Sequence, residues 1–345
     1  MKANVIREFG GPEVFDYCEV AEPTVGPLEV LVRVRGCGIN HYDIFLRRGD
    51  VTRELTLPHV MGADVVGEIE SIGAEVSGMT VGDRVIVAPG YPLDPADYDF
   101  EPINQGRSYS VTGSEKWGGY AQYMVVPARF VITNPPDLPF EQLATIPLVL
   151  VTAVHAVKTL AQVAAGQKVL VQAGASGSGA MCIQVAKALG AEIATTVGSD
   201  HKIDFAERLG ANLVINRHEG DFVARVKDWT GGAGVDAVID NVGGSVFEGN
   251  VRVLKRGGHF VNFGMIGGRT AEYVFPLIFY KHLHLHGSMM GSEQELAWGL
   301  EQVRTGRIKP ILDRALPLSE AAKAHEYIES RQVKGKVVLL PWEQS

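Results

Sequence analysis

The sequence predicts an α/β fold in two parts, a β-rich, barrel-like domain and a doubly wound parallel-sheet domain. Three observations carry that prediction. At 345 residues the chain is longer than a single hydrophobic core usually organises. Its first part is a series of short apolar segments separated by Gly and Pro, several alternating with period two as half-buried strands do. From residue 168 onward apolar strands alternate with amphipathic helices, the pattern of a parallel sheet covered by helices.

The elements follow in order. "EVLVRVRGCG", "DVVGEIESIG", "GDRVIVAPG" and "YAQYMVVPA" read as strands of a compact β domain. Residues 89–118, "PGYPLDPADYDFEPINQGRSYSVTGSEKWG", interrupt them. This stretch is Pro-rich, acidic and aromatic, and reads either as a lid, binding loop or oligomer contact or as a solvated insertion. Near 135–140 the chain turns Ala-rich and helix-like in "PFEQLATIPLVLVTAVHAVKTLAQV". The strands "KVLVQAG", "EIATTVG", "LVINR" and "VDAVIDNVGG" are then each followed by a helix-like segment, the last being "VFEGNVRVLKRGG"; "HFVNFGM" and "LHLHGSM" come after. A helix in "SEQELAWGLEQVRTG", the strand-like "IKPILDRALPL", another helix and the apolar "GKVVLLP" return to the first domain. The expected domains are residues 1–130, completed by 296–345, and residues 131–295.

Composition narrows the function. Apolar residues make up 46% and charged residues 21%, enough to bury a sizeable core. The net charge of −8, with no block of Lys or Arg, argues against nucleic acid or an anionic membrane as partner. The start "MKANVIREFGG" lacks a signal-peptide run, and "IPLVLVTAVHAV" (146–157) is too short to span a bilayer, so the cytoplasm is the expected location. Cys18, Cys37 and Cys182 are far apart and follow no CxxC spacing, which excludes a four-cysteine zinc site and disfavours a disulfide framework.

"VLVQAGASGSGAMCIQVAKALGA" (169–191) is a strand, a Gly-rich turn and a helix. Gly174, Ser176, Gly177 and Gly179 form the turn, where small residues let the backbone approach a pyrophosphate whose charge meets the helix N-terminus. Ser176 in place of the middle glycine weakens the bare motif, and the strand–turn–helix context restores it. In "ATTVGSDHK" Thr196, Val197, Gly198 and Ser199 stand where an NAD site places an acid for the ribose hydroxyls; Asp200 comes slightly later, on the expected following helix. Ser199, with Lys202 and Arg217 behind it, instead suits the 2′-phosphate of NADPH; each cation alone reads equally as a solvated surface residue.

Over almost its whole length the chain resembles the medium-chain dehydrogenase/reductase superfamily. The resemblance rests on "GGPEVFDYCEV", "VRGCGINHYDIFLRRG", "LPHVMGADVVGEIESIGAEVSGMTVGDRV", the Gly-rich turn, "VIDNVGG" and "GKVVLLP". It implies a GroES-like barrel-type catalytic domain plus a Rossmann domain, with the active site in the cleft between them. Within the superfamily the chain is similar to the zinc-free quinone oxidoreductase branch. The positions matching the catalytic zinc ligands of the zinc enzymes are Asn40, Ala63 and about Leu148, and all three ligands are lost; Asp64 follows the second of them. The 89–118 stretch matches a lobe with four structural cysteines and has none, so no metal is expected.

The resemblance also implies site residues. Thr152 matches a residue that packs on the nicotinamide, and Lys202, Arg217 and Arg331 match positions that hold the NADPH 2′-phosphate. Asn241, Gly243, Gly264 and Met265 match strand-end loops over the cofactor, and His41 a position facing its pyrophosphate. The expected reaction is hydride transfer from NADPH to a quinone or to the β-carbon of an α,β-unsaturated carbonyl. Asn40 is then a hydrogen-bond donor to the acceptor, Tyr42 the donor of a hydrogen bond or proton or else a lining aromatic, and Asp43 the acceptor that fixes the turn. Substrate-lining residues are expected in 45–60, 89–118 and 270–290. His282, His284 and His286 alternate on one expected strand face, about 6–7 Å apart per two residues, too far to converge on one ion. In this family that strand often pairs across a dimer interface, so a homodimer or homotetramer is expected. An alcohol dehydrogenase of the same superfamily and a non-catalytic NADPH-binding protein are the alternatives.

Overall fold

The computed structural model describes residues 1–51 and 55–342. Residues 52–54 of the expected 45–60 substrate-lining segment, and 343–345 of the expected C-terminal return, lie outside the described residues. The chain divides into two compact units, Met1–Leu148 with Pro310–Ser345, and Val149–Lys309.

Element numbers follow the chain. In the first unit β1 (Lys2–Ile6) and β2 (Phe15–Glu19) form an antiparallel pair. The main sheet holds β3 (Glu29–Gly38), β4 (Asp64–Ile72), β5 (Arg84–Val87), β8 (Tyr123–Pro127), β9 (Val131–Thr133), β16 (Leu312–Pro317) and β17 (Lys336–Leu340). Its order is β16-β17-β3-β4-β5-β9, with β8 also on β3. The long β3 pairs with β8, β4 and β17. Its alternate residues Val30, Val32 and Val34 are buried in one core with Ile69, Val85, Val126 and Leu339, as period two requires. Helices α1 (His41–Arg48), α2 (Phe140–Leu143) and α10 (Ala321–Glu329) complete the unit.

The 89–118 stretch is an ordered lobe. β6 (Gly90–Pro92) and β7 (Tyr109–Val111) form a hairpin, and Ile103, Tyr109, Val111, Thr112 and Ser114 are buried. Thr112 donates its hydroxyl to the Ala88 carbonyl at 2.7 Å, and the His59 ring bonds the Gly113 carbonyl at 2.8 Å. These contacts set aside the solvated-insertion reading.

The second unit is a six-stranded sheet: β10 (Lys168–Val171), β11 (Glu192–Val197), β12 (Leu213–Asn216), β13 (Val235–Asp240), β14 (Leu254–Asn262) and β15 (His284–Gly287). The order is β12-β11-β10-β13-β14-β15 and every pairing is parallel. Helix α3 (Pro147–Val154) leads in, and α4 (Gly177–Ala188), α5 (Ile203–Leu209), α6 (Phe222–Trp229), α7 (Phe247–Val253), α8 (Phe275–Lys281) and α9 (Glu293–Arg304) follow the strands. This is the doubly wound arrangement that the strand–helix alternation predicts.

Three expectations are corrected. The units part at 148/149 and 309/310 rather than at 130/131 and 295/296. The physical reason is that β9 pairs with β5 and α2 packs on β3, whereas Gly299 of α9 lies against Leu150. The segment "LKRGG" opens β14 instead of ending a helix, since Gly257 (φ +70°) and Gly258 do not sustain one. The helical run Phe140–Leu160 is also longer than the apolar run suggested, long enough to cross a membrane. However, 78% of its most apolar window is buried inside the protein, as in a core helix.

Candidate functional site

The first polar site is built on the N-terminus of α1. Asn40 is the N-cap residue, with extended backbone (φ −116°, ψ 155°), and its N–H donates to the Asp43 carboxylate at 2.7 Å. Gly49 (φ +71°) ends the helix, and Ile44 and Leu46 face the core. The Asn40 side chain meets two residues distant in sequence. Its amide donates to Asp64 Oδ2 at 3.0 Å, and its Oδ1 accepts from Lys336 Nζ at 2.6 Å. Lys336 Nζ also donates to Asp64 Oδ2 at 2.7 Å, and the other Asp64 oxygen accepts the Leu148 N–H at 2.6 Å. Lys336 is 5% exposed, Asn40 7% and Asp64 0%, so this is a buried ion pair in which both Asp64 oxygens accept hydrogen bonds.

A second network holds α1 from behind. Arg47, fully buried, donates to Glu329 at 2.7 Å, to the Gly10 carbonyl at 3.2 Å and to His325 Nδ1 at 3.1 Å. His325 Nε2 then meets the Tyr120 hydroxyl at 3.1 Å. Burial, with Arg47 and His41 near, keeps the His325 imidazole far below its usual range, so it is neutral and its Nδ1 can accept from Arg47. Burial also drives the Asp43 carboxyl up to about 7, against the lowering pull of the Asn40 N–H and of Lys336. Cys37 is buried beside them, and burial with Asp43 and Asp64 pushes its thiol well up, which leaves it inert.

Tyr42 is half-buried and its hydroxyl accepts from Ser114 Oγ at 3.0 Å, which ties α1 to the 89–118 lobe. His41 is exposed, as is Arg331, which follows α10 with φ +61°. The structure therefore gathers Asn40, Tyr42 and Asp43 on one helix end but gives the Asn40 amide a different task from the one expected. One of its N–H groups and its oxygen are spent on Asp64 and Lys336.

The second polar site lies in the other unit, at the Gly-rich turn. Ser176 caps α4 by accepting the Gly179 N–H at 3.1 Å while its hydroxyl donates to the Ala173 carbonyl at 2.8 Å. At Gly174 a side chain would collide with Thr195 Oγ1, and with Ile183 Cδ1 at 2.7 Å, so only a bare backbone fits. Gly177 opens α4. The Asn241 amide reaches Ser176 Oγ at 3.1 Å from the end of β13, so Asn241 secures the turn. Beside it Asp240 is buried and accepts the Val242 and Gly243 N–H groups at 2.8 and 3.1 Å. Gly243 (φ +91°) has no room for a side chain, with the Gly264 and Gly268 carbonyls 2.8 Å from its position; Met265 is next in that packed loop. Ser199 follows the end of β11, Lys202 is the N-cap residue of α5 with Asp200 between them, and the exposed Arg217 follows β12. Cradles of this kind fit a dinucleotide, since backbone can reach phosphate where no side chain intervenes.

Thr152 is buried in α3 with its hydroxyl 3.9 Å from Met290 Sδ. The Met290 segment is tied to the same helical run by Glu295, which bonds His155 Nδ1 at 2.9 Å and accepts the Ser292 N–H at 2.6 Å. Burial opposes ionisation of Glu295, but the bonds from His155, Thr159 and Ser292 hold its carboxyl below the usual range. His282 is not on the strand; it caps α8 in the left-handed region (φ +51°). His284 and His286 are, with ring centres 6.4 Å apart, and His259 of β14 stacks on both.

Lys336, His325 and Arg47 went unnoticed in the sequence. Lys336 lies inside "GKVVLLP", and the available signal was a lysine opening an otherwise apolar strand.

Comparisons with known proteins agree with this architecture. Residues 26–136 match the family profile described as "Alcohol dehydrogenase GroES-like domain" and residues 177–304 that described as "Zinc-binding dehydrogenase". The quinone oxidoreductase of Sus scrofa is 30% identical over 99% of this chain and 98% of its own length. A solved NAD-dependent alcohol dehydrogenase superposes with a TM-score of 0.92 at 36% identity, covering 99% of both chains. The Escherichia coli quinone oxidoreductase complexed with NADPH gives 0.85 at 27% identity, covering 99% of this chain and 100% of that one. The chain belongs to the medium-chain dehydrogenase/reductase superfamily, and within it is quinone oxidoreductase-like. It is an oxidoreductase of that type, with a nicotinamide dinucleotide as its cofactor class. The metal in the second profile's description does not fit the donors present. Where Asn40 and Asp64 converge, a lysine ammonium holds the position, and among the described residues no cluster of His, Cys, Asp and Glu is placed to bind an ion.

Proposed function

We propose that this chain is a zinc-independent, NADPH-dependent reductase that passes a hydride to a quinone or to the β-carbon of an α,β-unsaturated carbonyl. The observation that carries the reading is the Lys336 ammonium bonded to Asn40 and Asp64, a fixed positive charge where a metal enzyme would need free ligands. NADPH over NADH is supported by Ser199, Lys202 and Arg217, which follow strand ends that carry no acid for the ribose. NADPH, when bound, supplies the hydride. The turn at Gly174–Gly179 binds its pyrophosphate, Thr152 packs on the nicotinamide, and Tyr42 faces the acceptor with its hydroxyl held by Ser114.

Activity of the purified chain on a panel of quinones, enones, enoyl thioesters and simple ketones, with each nicotinamide and before and after chelation, tests this. The expected result is chelator-resistant reduction of the conjugated acceptors with NADPH. Stoichiometric zinc with chelator-sensitive ketone reduction would instead establish the second reading, an alcohol dehydrogenase, which the 36% identity to an NAD-dependent alcohol dehydrogenase favours. We also propose a homodimer or homotetramer through β15, the edge strand of its sheet, flanked by the exposed Phe275, Phe279 and Tyr280 of α8. Light scattering that returns the mass of one chain excludes it.

A further inference from the structure

We infer that Lys336 is a catalytic residue, its ammonium serving as the internal electrophile that hydrogen-bonds the carbonyl oxygen of the acceptor. The inference rests on the reductase reading above and assigns that reaction its source of positive charge. Three observations carry it. The ammonium is fixed: Asn40 Oδ1 and Asp64 Oδ2 accept from it at 2.6 and 2.7 Å, and it is only 5% exposed. An ammonium has three N–H groups, and the third finds no acceptor among the described residues. A buried N–H left without an acceptor is costly, and a ligand oxygen can satisfy it.

The third observation is that the site is over-built for a structural ion pair. Asp64 is oriented by the Leu148 N–H at 2.6 Å and by the Asn40 amide at 3.0 Å. Asn40 is itself locked by Asp43 at 2.7 Å, and α1 by the buried Arg47. Burying an ion pair generally stabilises a fold no more than packed apolar residues would, so its presence points to function. A charge prealigned in a dry site needs no reorganisation when an oxyanion forms.

The chemistry balances. The acceptor gains a C–H bond at its β-carbon from the hydride, and its C=C π pair moves through the α-carbon to leave an enolate oxygen. Solvent then protonates the α-carbon, so the acceptor has gained two electrons and two hydrogens while the nicotinamide is left oxidised. Lys336 transfers no proton in this step; it lends a hydrogen bond to the enolate oxygen while Asn40 and Asp64 hold it in place.

The test compares the wild-type chain, Lys336→Met, Lys336→Arg and the double variant Lys336→Met/Asp64→Asn, each saturated with NADPH. The double variant removes both charges and guards against misfolding from an unpaired Asp64. We expect kcat to fall roughly 100- to 1,000-fold in both Met variants, the loss typical of one oxyanion donor. NADPH affinity should change less than threefold, and Lys336→Arg should recover part of the rate. The deficit should shrink as the acceptor becomes intrinsically more electrophilic, and the isotope effect with 4-deuterated NADPH should rise; a structural role moves neither. A folded double variant with kcat within threefold of wild type overturns the inference, and so does a loss confined to NADPH affinity. A wild-type chain that reduces no acceptor in the panel overturns the reductase reading itself and the inference with it.

Discussion

The Gly-rich turn at 174–179 and the cluster around Asn40 both sit at a helix N-terminus, yet they are assembled in opposite ways. The turn is contiguous in sequence and made of main chain; its demand is that side chains be absent, as the collision at Gly174 shows. The cluster joins residues 40, 64 and 336 from the cap of α1, the start of β4 and the start of β17, and its demand is that particular charges be present. A backbone-coded site should tolerate changes of charge and fail when volume is added. A charge-coded site should tolerate changes of volume on its rim and fail when a proton or charge is removed.

The strongest challenge to that contrast is Gly174→Val. The new side chain meets Ile183 Cδ1 and the buried Thr195, and forcing such a contact costs about 1–3 kcal/mol. The turn can escape only by shifting away from the phosphate position. NADPH affinity measured by calorimetry should therefore fall roughly 5- to 150-fold. An unchanged Kd means that the turn does not set the binding geometry. Next comes Arg217→Ala, which removes an exposed guanidinium from the end of β12. It should weaken NADPH roughly tenfold while leaving NADH nearly unchanged, because only NADPH carries the 2′-phosphate. Equal effects on the two nucleotides would remove this arginine from the 2′-phosphate site.

Asp43→Asn probes the charge-coded side through stability. Burial raises the folded carboxyl of Asp43 to about 7, above the ordinary value of 3.8. Between those two values the folded chain holds a proton that the unfolded chain releases. The stability tied to this proton is thus fully present below pH 3.8 and is lost as pH rises through about 7. An asparagine oxygen can still accept the Asn40 N–H without that dependence. The variant should therefore gain thermal stability relative to wild type at pH 8 and gain little or none at pH 4. Parallel melting profiles across that range would show that Asp43 does not titrate in this way.

The same contrast explains what the sequence disclosed. The fold class was legible because period two in the first unit and strand–helix alternation in the second are local patterns, and "VLVQAGASGSGA" puts a whole phosphate-binding turn in one window. The stretch "CGINHYDIF" was legible only in part. The lone Asn40–Asp43 cap could be read from spacing, but Lys336 is almost three hundred residues away and joins it only because β17 pairs with β3 at Gly38 and Cys37. The network of Arg47, His325 and Tyr120 escaped for the same reason, since antiparallel pairing and helix packing bring together residues that no window contains. The unit boundary was misplaced because β9, paired with β5, and α2, packed on β3, still belong to the first unit past residue 130.

The smallest expected effect separates two roles for Tyr42. Its hydroxyl accepts from Ser114 at 3.0 Å, so it is fixed and could deliver a proton or only a hydrogen bond. A positioned general acid is worth roughly 100- to 10,000-fold in rate. Protonation of an enolate at carbon can be left to solvent, and Lys336 already stabilises the oxygen in the proposed scheme. Tyr42→Phe should then lower kcat by roughly two- to fivefold, well short of the loss of a general acid. The Ser114→Ala variant should match it, because each removes the same Ser114–Tyr42 hydrogen bond. A fall of 100-fold or more in Tyr42→Phe alone, accompanied by loss of the basic limb of the pH–rate profile, would make the phenol the proton donor. The charge-coded site would then extend from Lys336 along α1 to the 89–118 lobe.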